Sequence, residues 1–303
     1  MAVISSFGEV SGLPVIDRDT CTHCGACAET CPTGVLTMDG DTVLVDVAVT
    51  FGCIACGQCM MACPTGSVAV TGRRVSPDQL VELPEPARRA SADQLEALFL
   101  ARRSVRRFRP DDVPGDVVDR VVAAAATAPM GIPPWEVGVV VFRGRLKVRE
   151  LARDVAHTYA GLLKWMDNAA VMGLLRVFAK KATYDQFRSF ILPLGRDVVA
   201  ARRAGQDKVL YDAPAALLFH TSPYADGADA FIACTYAMLA AESLGLGSTM
   251  IGCAAPPLAR RRDLLRKYGV PERSKPAIVL ILGYPATTYV RGIRRPFLAV
   301  RDF

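Results

Sequence analysis

The chain has 303 residues, enough for two domains, and its 51% hydrophobic and 22% charged residues suit a packed protein and not a disordered one. The net charge of +6 is carried by scattered arginines without interleaved aromatics, which argues against nucleic-acid binding. The most hydrophobic helical stretch, 159–179, is interrupted by Lys164, Asp167 and Arg176, so no membrane span is expected.

The opening MAVISSFGEV lacks the basic flank and long apolar core of a secretion signal, and a cytoplasmic, reducing location is expected. Eight cysteines follow. Cys21, Cys24, Cys27 and Cys31 form C-x2-C-x2-C-x3-C-P, and Cys53, Cys56, Cys59 and Cys63 repeat it 32 residues later. Zinc sites usually show two C-x2-C pairs instead of such triplets. Tandem runs of this form hold two [4Fe–4S] clusters, the fourth cysteine of each run serving the other cluster. Cys21, Cys24, Cys27 and Cys63 are therefore expected on one cluster, and Cys53, Cys56, Cys59 and Cys31 on the other. Gly25 and Gly57 are expected where the backbone approaches each cluster, and Pro32 and Pro64 where the chain leaves it. This stretch resembles bacterial ferredoxins over about residues 13–72, which points to single-electron transfer. It is also acidic: residues 1–72 hold seven acids against one base, so the basic excess lies entirely downstream.

The proline-rich VSPDQLVELPEPARRASA marks a linker, giving an expected division into 1–74, a linker 75–92, and a second module 93–303. Ser91 reads as the N-cap of a helix beginning near Ala92. Next come a helix over 116–127, a buried strand over 136–142 and a largely helical stretch over 146–203. A strand over 215–220, an alanine-rich helix over 229–244 ended by Gly245, and a strand over 277–283 complete the pattern. Helices flanking short apolar strands indicate an α/β or α+β sandwich with a covered sheet.

Four segments of this module resemble the nitroreductase family of FMN flavoproteins: RRSVRRF at 102–108, APMGIPPW at 128–135, GLGSTMIG at 245–252, and GYP at 283–285 followed by RRP at 294–296. The resemblance implies a homodimeric α+β fold with FMN at the subunit interface. It implies that Arg102, Arg103, Ser104, Arg106 and Arg294 hold the phosphate, where guanidinium forks suit phosphate oxygens. Pro129, Met130 and Gly131 would border the isoalloxazine, although Met130, Ile132 and Pro133 replace the polar residues usual in the family. Ile251, Gly252 and Cys253 would bring a backbone N–H to the flavin N5. A buried, inert thiol is the alternative for Cys253, and Cys234 reads as core. Glu242 matches a frequent acid of the family and also reads as a solvated helix-end carboxylate. The helices between the second and third motifs would roof the substrate pocket, with Tyr159, Trp165, Met166, Phe178, Tyr184 and Phe187 as candidates. His157 and His220 read as structural residues first.

The expected function is an FMN-dependent oxidoreductase in which two clusters relay electrons to flavin. The acceptor would be a small apolar or aromatic molecule bearing a nitro group or an activated double bond. An external ferredoxin or NAD(P)H is the candidate donor, and no G-x-G-x-x-G follows a strand to mark a separate nicotinamide domain. A dehydrogenase exporting electrons through the clusters, and a non-enzymatic relay within a larger complex, remain the alternatives. No residue is singled out as catalytic.

Overall fold

The computed structural model describes residues 11–49, 52–72, 74–131 and 135–302. The opening decapeptide, and Ile132, Pro133 and Pro134 of the second motif, lie outside the described residues. The chain forms two compact units. One comprises residues 1–89 with 129–137 and 222–229, and the other comprises 90–128, 138–221 and 230–303.

The first unit repeats one small pattern twice. Strand β1 (Leu13–Ile16) leads to α1 (Ala26–Glu29), then to the hairpin of β2 (Leu36–Asp39) and β3 (Thr42–Val45), α2 (Gln58–Ala62) and β4 (Val68–Thr71). β1 pairs antiparallel with β4, and β2 with β3. Both short helices start on a glycine in the left-handed region, Gly25 at φ 77° and Gly57 at φ 74°. A Cβ would meet Met38 at 3.6 Å in the first case, and Met60 at 3.5 Å and Val75 at 3.9 Å in the second, all ordinary contacts. Glycine is thus required here by backbone conformation more than by crowding. Ile16, Leu36, Val43, Met60, Val68 and Val70 form the core, together with Cys27 and Cys59. The linker is not uniformly extended. It holds two single 3-10 turns, Pro77–Gln79 and Pro86–Arg88, each with proline in its first turn.

The second unit is built on a four-stranded sheet of β5 (Val137–Arg143), β6 (Ala215–Thr221), β7 (Gly247–Ile251) and β8 (Lys275–Gly283), in the order β5-β6-β8-β7. β8 is antiparallel to both neighbours, with Leu217 opposite Leu280 and Thr249 opposite Ile281. Every residue of β6 is buried, as expected of a strand covered on both faces. Helices α3 (Ala92–Ala101), α4 (Gly115–Ala125), α5 (Arg145–Met166), α6 (Ala169–Phe178), α7 (Lys181–Gln186), α8 (Leu192–Arg203) and α9 (Gly227–Ser243) accompany it, with short α10 (Ala255–Ala259) and α11 (Arg262–Lys267) before β8. Ser91 caps α3 through a capping box with Gln94, the reciprocal bonding its sequence signals.

The α+β architecture matches expectation, with three differences. The helical stretch 146–203 is broken near Asn168, which caps α6, and again at Ala179. GSTMI becomes a strand because β8 supplies its partner. α10 forms despite Pro256 and Pro257, which sit in its first turn, where their missing N–H groups cost nothing. His220 lies on β6 against Gly138, where a Cβ would come within 2.2 Å of the imidazole. Among the described residues, no helix is long and apolar enough to cross a membrane.

Candidate cluster and flavin sites

In the first unit the two cysteine runs interleave. Cys27 feels the charges of Cys63 and Cys21, and Cys59 those of Cys53, Cys56 and Cys31. Burial, and then those neighbours, push the Cys59 thiol up to about 12. Burial also raises Cys27. The fourth cysteines behave oppositely. Burial alone would raise Cys31, but the amides of Leu36 and Thr33 and the Thr33 hydroxyl outweigh it. Burial is likewise outweighed at Cys63, by the Thr65 hydroxyl and the amides of Thr65, Ser67 and Val68. The Thr-Gly turns after Cys31 and Cys63 thus aim matching donors at the two sulfurs, with Thr33 Oγ1 at 3.7 Å and Thr65 Oγ1 at 3.5 Å.

Two sets of four thiols fit cubanes in their donor chemistry. Among the described residues, no three His, Cys, Asp or Glu side chains are gathered closely enough to hold one metal ion. Ligands of a four-iron cluster each bind a separate iron and stand farther apart. Cys31, Cys53, Cys56 and Cys59 line one common cavity in the first unit, together with Gly57 and Ile54.

In the second unit, three of the four flavin-like segments converge. Ser104 bridges in parallel to Ser248, and Phe108 bridges to Pro285. Val105 N–H donates to Ser248 O at 3.0 Å, and Thr249 Oγ1 donates to Val105 O at 2.5 Å. Glycine makes both approaches possible. A Cβ on Gly247 would lie 2.6–2.8 Å from the Val105 side chain, and one on Gly283 would lie 2.6 Å from Phe108. The arginine segment is therefore strapped along β7 and the end of β8.

Its guanidinium groups are crowded. Burial first, then the charges of Arg103 and Arg295, disfavour the cationic form of Arg102, while Glu242 favours it. Glu242 is in turn pushed up by burial, against the pull of Arg102 and Arg103. Arg103 Nε and Ser248 Oγ are buried without a hydrogen-bond partner among the described residues. One carboxylate facing several cations, beside a buried unpaired donor, fits an anion such as a flavin phosphate. Arg294 pairs instead with Glu96 at 3.4 Å, both side chains being largely exposed. Arg295, adjacent in sequence and near Arg102 in space, was not singled out from sequence. Arg106 stacks over Tyr211 at 5.8 Å.

Beyond β7, Gly252 and Cys253 open onto a cavity of about 320 Å³ lined by Tyr159, Leu162, Phe187 and Phe190, with Arg260 as its single charged residue. Tyr159 Oη donates to Cys253 O at 2.9 Å, fixing the turn after β7. The Ile251 side chain is in the core, so only its backbone could face a ligand. Burial raises the Cys253 thiol, keeping it protonated. Of the six expected roof residues, Tyr159 and Phe187 reach this cavity. Met166 and Phe178 line another one with Leu174 and Leu175, and Trp165 is 71% exposed. His157 is exposed. In the first unit, Gly131 N–H donates to Asp229 Oδ1 at 3.1 Å, while Pro129 is exposed and Met130 half-buried.

The Nitroreductase family model matches residues 100–284, well over half of the chain. The chain belongs to the nitroreductase family. It carries an N-terminal 4Fe–4S dicluster domain, whose family model matches residues 13–64. This nitroreductase-family chain is similar to an iodotyrosine deiodinase of Hydra vulgaris, 26% identical over 196 residues, which are 61% of this chain and 63% of that protein. It is also similar to an FMN reductase [NAD(P)H] of Bacillus subtilis, 25% identical over 200 residues, 65% of this chain and 68% of that protein. Among solved structures, a nitroreductase with bound FMN from Bacteroides fragilis aligns at a TM-score of 0.49 and 21% identity, over 69% of this chain and 98% of that one. The chain is an oxidoreductase of this family fused to a ferredoxin-type domain.

Proposed function

We propose that the protein is an FMN-dependent oxidoreductase whose two [4Fe–4S] clusters relay electrons between an external donor and the flavin, for reduction of a small apolar or aromatic acceptor. The observation that carries this reading is the strapping of the arginine segment onto β7, which sets a crowded cationic patch and the Gly252–Cys253 turn at the two ends of one short strand. Flavin converts two single electrons into a hydride equivalent, the chemistry a one-electron relay lacks. Arg102, Arg103, Ser104 and Arg106 hold the phosphate, with Arg294 and Arg295 from the C-terminal stretch. Pro129, Met130, Gly131, Ile251, Gly252 and Cys253 border the ring. The eight cysteines hold the clusters in the crossed arrangement. Tyr159 holds the Cys253 carbonyl and thereby the turn at the flavin edge. Phe187 and Phe190 line a cavity large enough for a small planar acceptor.

The division into 1–74, 75–92 and 93–303 and a cytoplasmic location belong to the same reading. So does a homodimer. Phe231, Ile232 and Tyr236 lie exposed along α9, and Val290, Ile293, Phe297, Leu298 and Val300 project from the extended C-terminal stretch. That much apolar surface favours a partner of the same kind. The proposal is tested by anaerobic turnover of a nitroaromatic and an activated alkene with reduced ferredoxin, NADH and NADPH as separate donors. Turnover with reduced ferredoxin, abolished in Cys56→Ala while dithionite still reduces bound flavin, is expected. Equal ferredoxin-driven turnover by that variant would contradict the relay.

A further inference from the structure

We propose that Trp135 is a positioning residue for the second cluster loop, and that this loop, not the first, is coupled to the flavin-binding stretch of the chain. The inference rests on the reading of Pro129, Met130 and Gly131 as flavin contacts. Residues 129–137 belong to the same compact unit as the cysteine runs. Within that unit the Trp135 indole N–H, which can only donate, reaches the Ala55 carbonyl at 3.0 Å. Its ring packs against the unit's core, which includes Ala55, Cys59 and Met60.

Ala55 lies between Cys53 and Cys56, fully buried, with φ 56°. A left-handed alanine is strained and persists only where its surroundings hold it. Trp135, itself at φ 72°, supplies such a hold. The internal repeat provides a control. His23 occupies the matching place between Cys21 and Cys24, with φ 58°. Yet His23 and Cys24 are exposed, and among the described residues no side chain donates to the His23 carbonyl. One loop therefore faces solvent, while its twin is fastened by a residue of the nitroreductase sequence.

Chain length sets the reach of that fastening. Gly131 is four residues from Trp135, so their Cα atoms are at most about 14 Å apart. The second loop is thereby tethered close to the flavin-binding stretch. The solvent-facing first loop is left to receive single electrons from a low-potential one-electron donor outside the chain. Each passage moves one electron, and two passages with uptake of protons from solvent are needed per two-electron reduction of the acceptor.

The test uses the full chain purified anaerobically with its clusters, as wild type, Trp135→Phe and Trp135→Ala. Two signals are followed by EPR during reductive titration and assigned with Cys24→Ser and Cys56→Ser. Trp135→Phe, which keeps the ring and loses only the N–H, should shift the potential of the signal altered by Cys56→Ser and leave the other unchanged. Trp135→Ala should shift it further and slow flavin reduction from pre-reduced clusters at least ten-fold. His23→Ala should do neither. Unchanged potentials in both Trp135 variants, or a shift confined to the signal altered by Cys24→Ser, would overturn the proposal. Should Trp135→Ala fail to fold, the potentials in Trp135→Phe decide alone. A wild-type chain that bound no flavin would defeat the flavin reading, while the EPR comparison would still decide the role of Trp135 at the cluster.

Discussion

Removing Arg102 should act in opposite directions on flavin binding and on the flavin-free protein. Arg102 is partly buried beside Arg103 and Arg295, and Glu242 offsets them in part. In the absence of an anion, this crowding opposes folding. A phosphate turns the same groups into charge-assisted donors, each of which contributes about 1.5–3 kcal/mol. Arg102→Met keeps the apolar stem and removes the charge, so FMN should dissociate roughly ten- to hundred-fold more readily. Thermal stability of the flavin-free form should stay level or rise. Arg294→Met removes an exposed pair with Glu96, of the kind that contributes up to about 1 kcal/mol. The share of Arg294 in holding the phosphate is screened by solvent to a similar size, so its loss should weaken FMN about five-fold or less. The assay is quenching of FMN fluorescence on titration into deflavinated protein, repeated at two ionic strengths. Equal losses for both variants, or a flavin-free Arg102→Met protein that melts well below wild type, would refute the reasoning.

Three further outcomes are expected. Cys63→Ala should disturb the cluster held by Cys21, Cys24 and Cys27, and iron analysis should fall from about eight towards four per chain, with the signal altered by Cys56→Ser retained. Gly138→Ala would set a Cβ against the His220 ring and should cost about 1–3 kcal/mol in denaturant unfolding, with the loss largely relieved by a second change, His220→Ala. Burial would raise the Asp154 carboxyl, but Lys267 at 2.6 Å and the Tyr268 hydroxyl at 2.5 Å hold it below its ordinary value. A lowered carboxylate contributes stability above its unfolded pKa and loses it as pH falls through the folded value. The melting difference between wild type and Asp154→Asn should therefore be full near neutrality and shrink below about pH 4.

Much of this was legible in the sequence, for identifiable reasons. The cysteine runs are local, and their spacing already contains the geometry of a cluster loop. The stretches 215–219 and 276–282 are apolar because both faces of their strands are covered, and strands were expected there, over 215–220 and 277–283. β7 was not legible as a strand: Gly247 and Ser248 favour turns, and pairing to β8 and the strap at Val105 make them extended. α10, with two prolines in five residues, reads as loop until its position as a first turn is known. The site divides the same way. The arginines of 102–106 announce an anion, but the choice between Arg294 and Arg295 depends on where an extended stretch passes α3. The contact between Trp135 and Ala55 joins residues 80 apart and leaves no trace in either local pattern.

In the proposed relay the clusters are the entrance for electrons and the flavin the exit. It is tested most directly by anaerobic stopped-flow mixing of the oxidised protein with reduced ferredoxin, following cluster bleaching and flavin bleaching separately. The clusters should bleach first, flavin should follow, and Cys56→Ala should leave the flavin oxidised on the same timescale. Flavin bleaching before the clusters, or at an undiminished rate in Cys56→Ala, would contradict it.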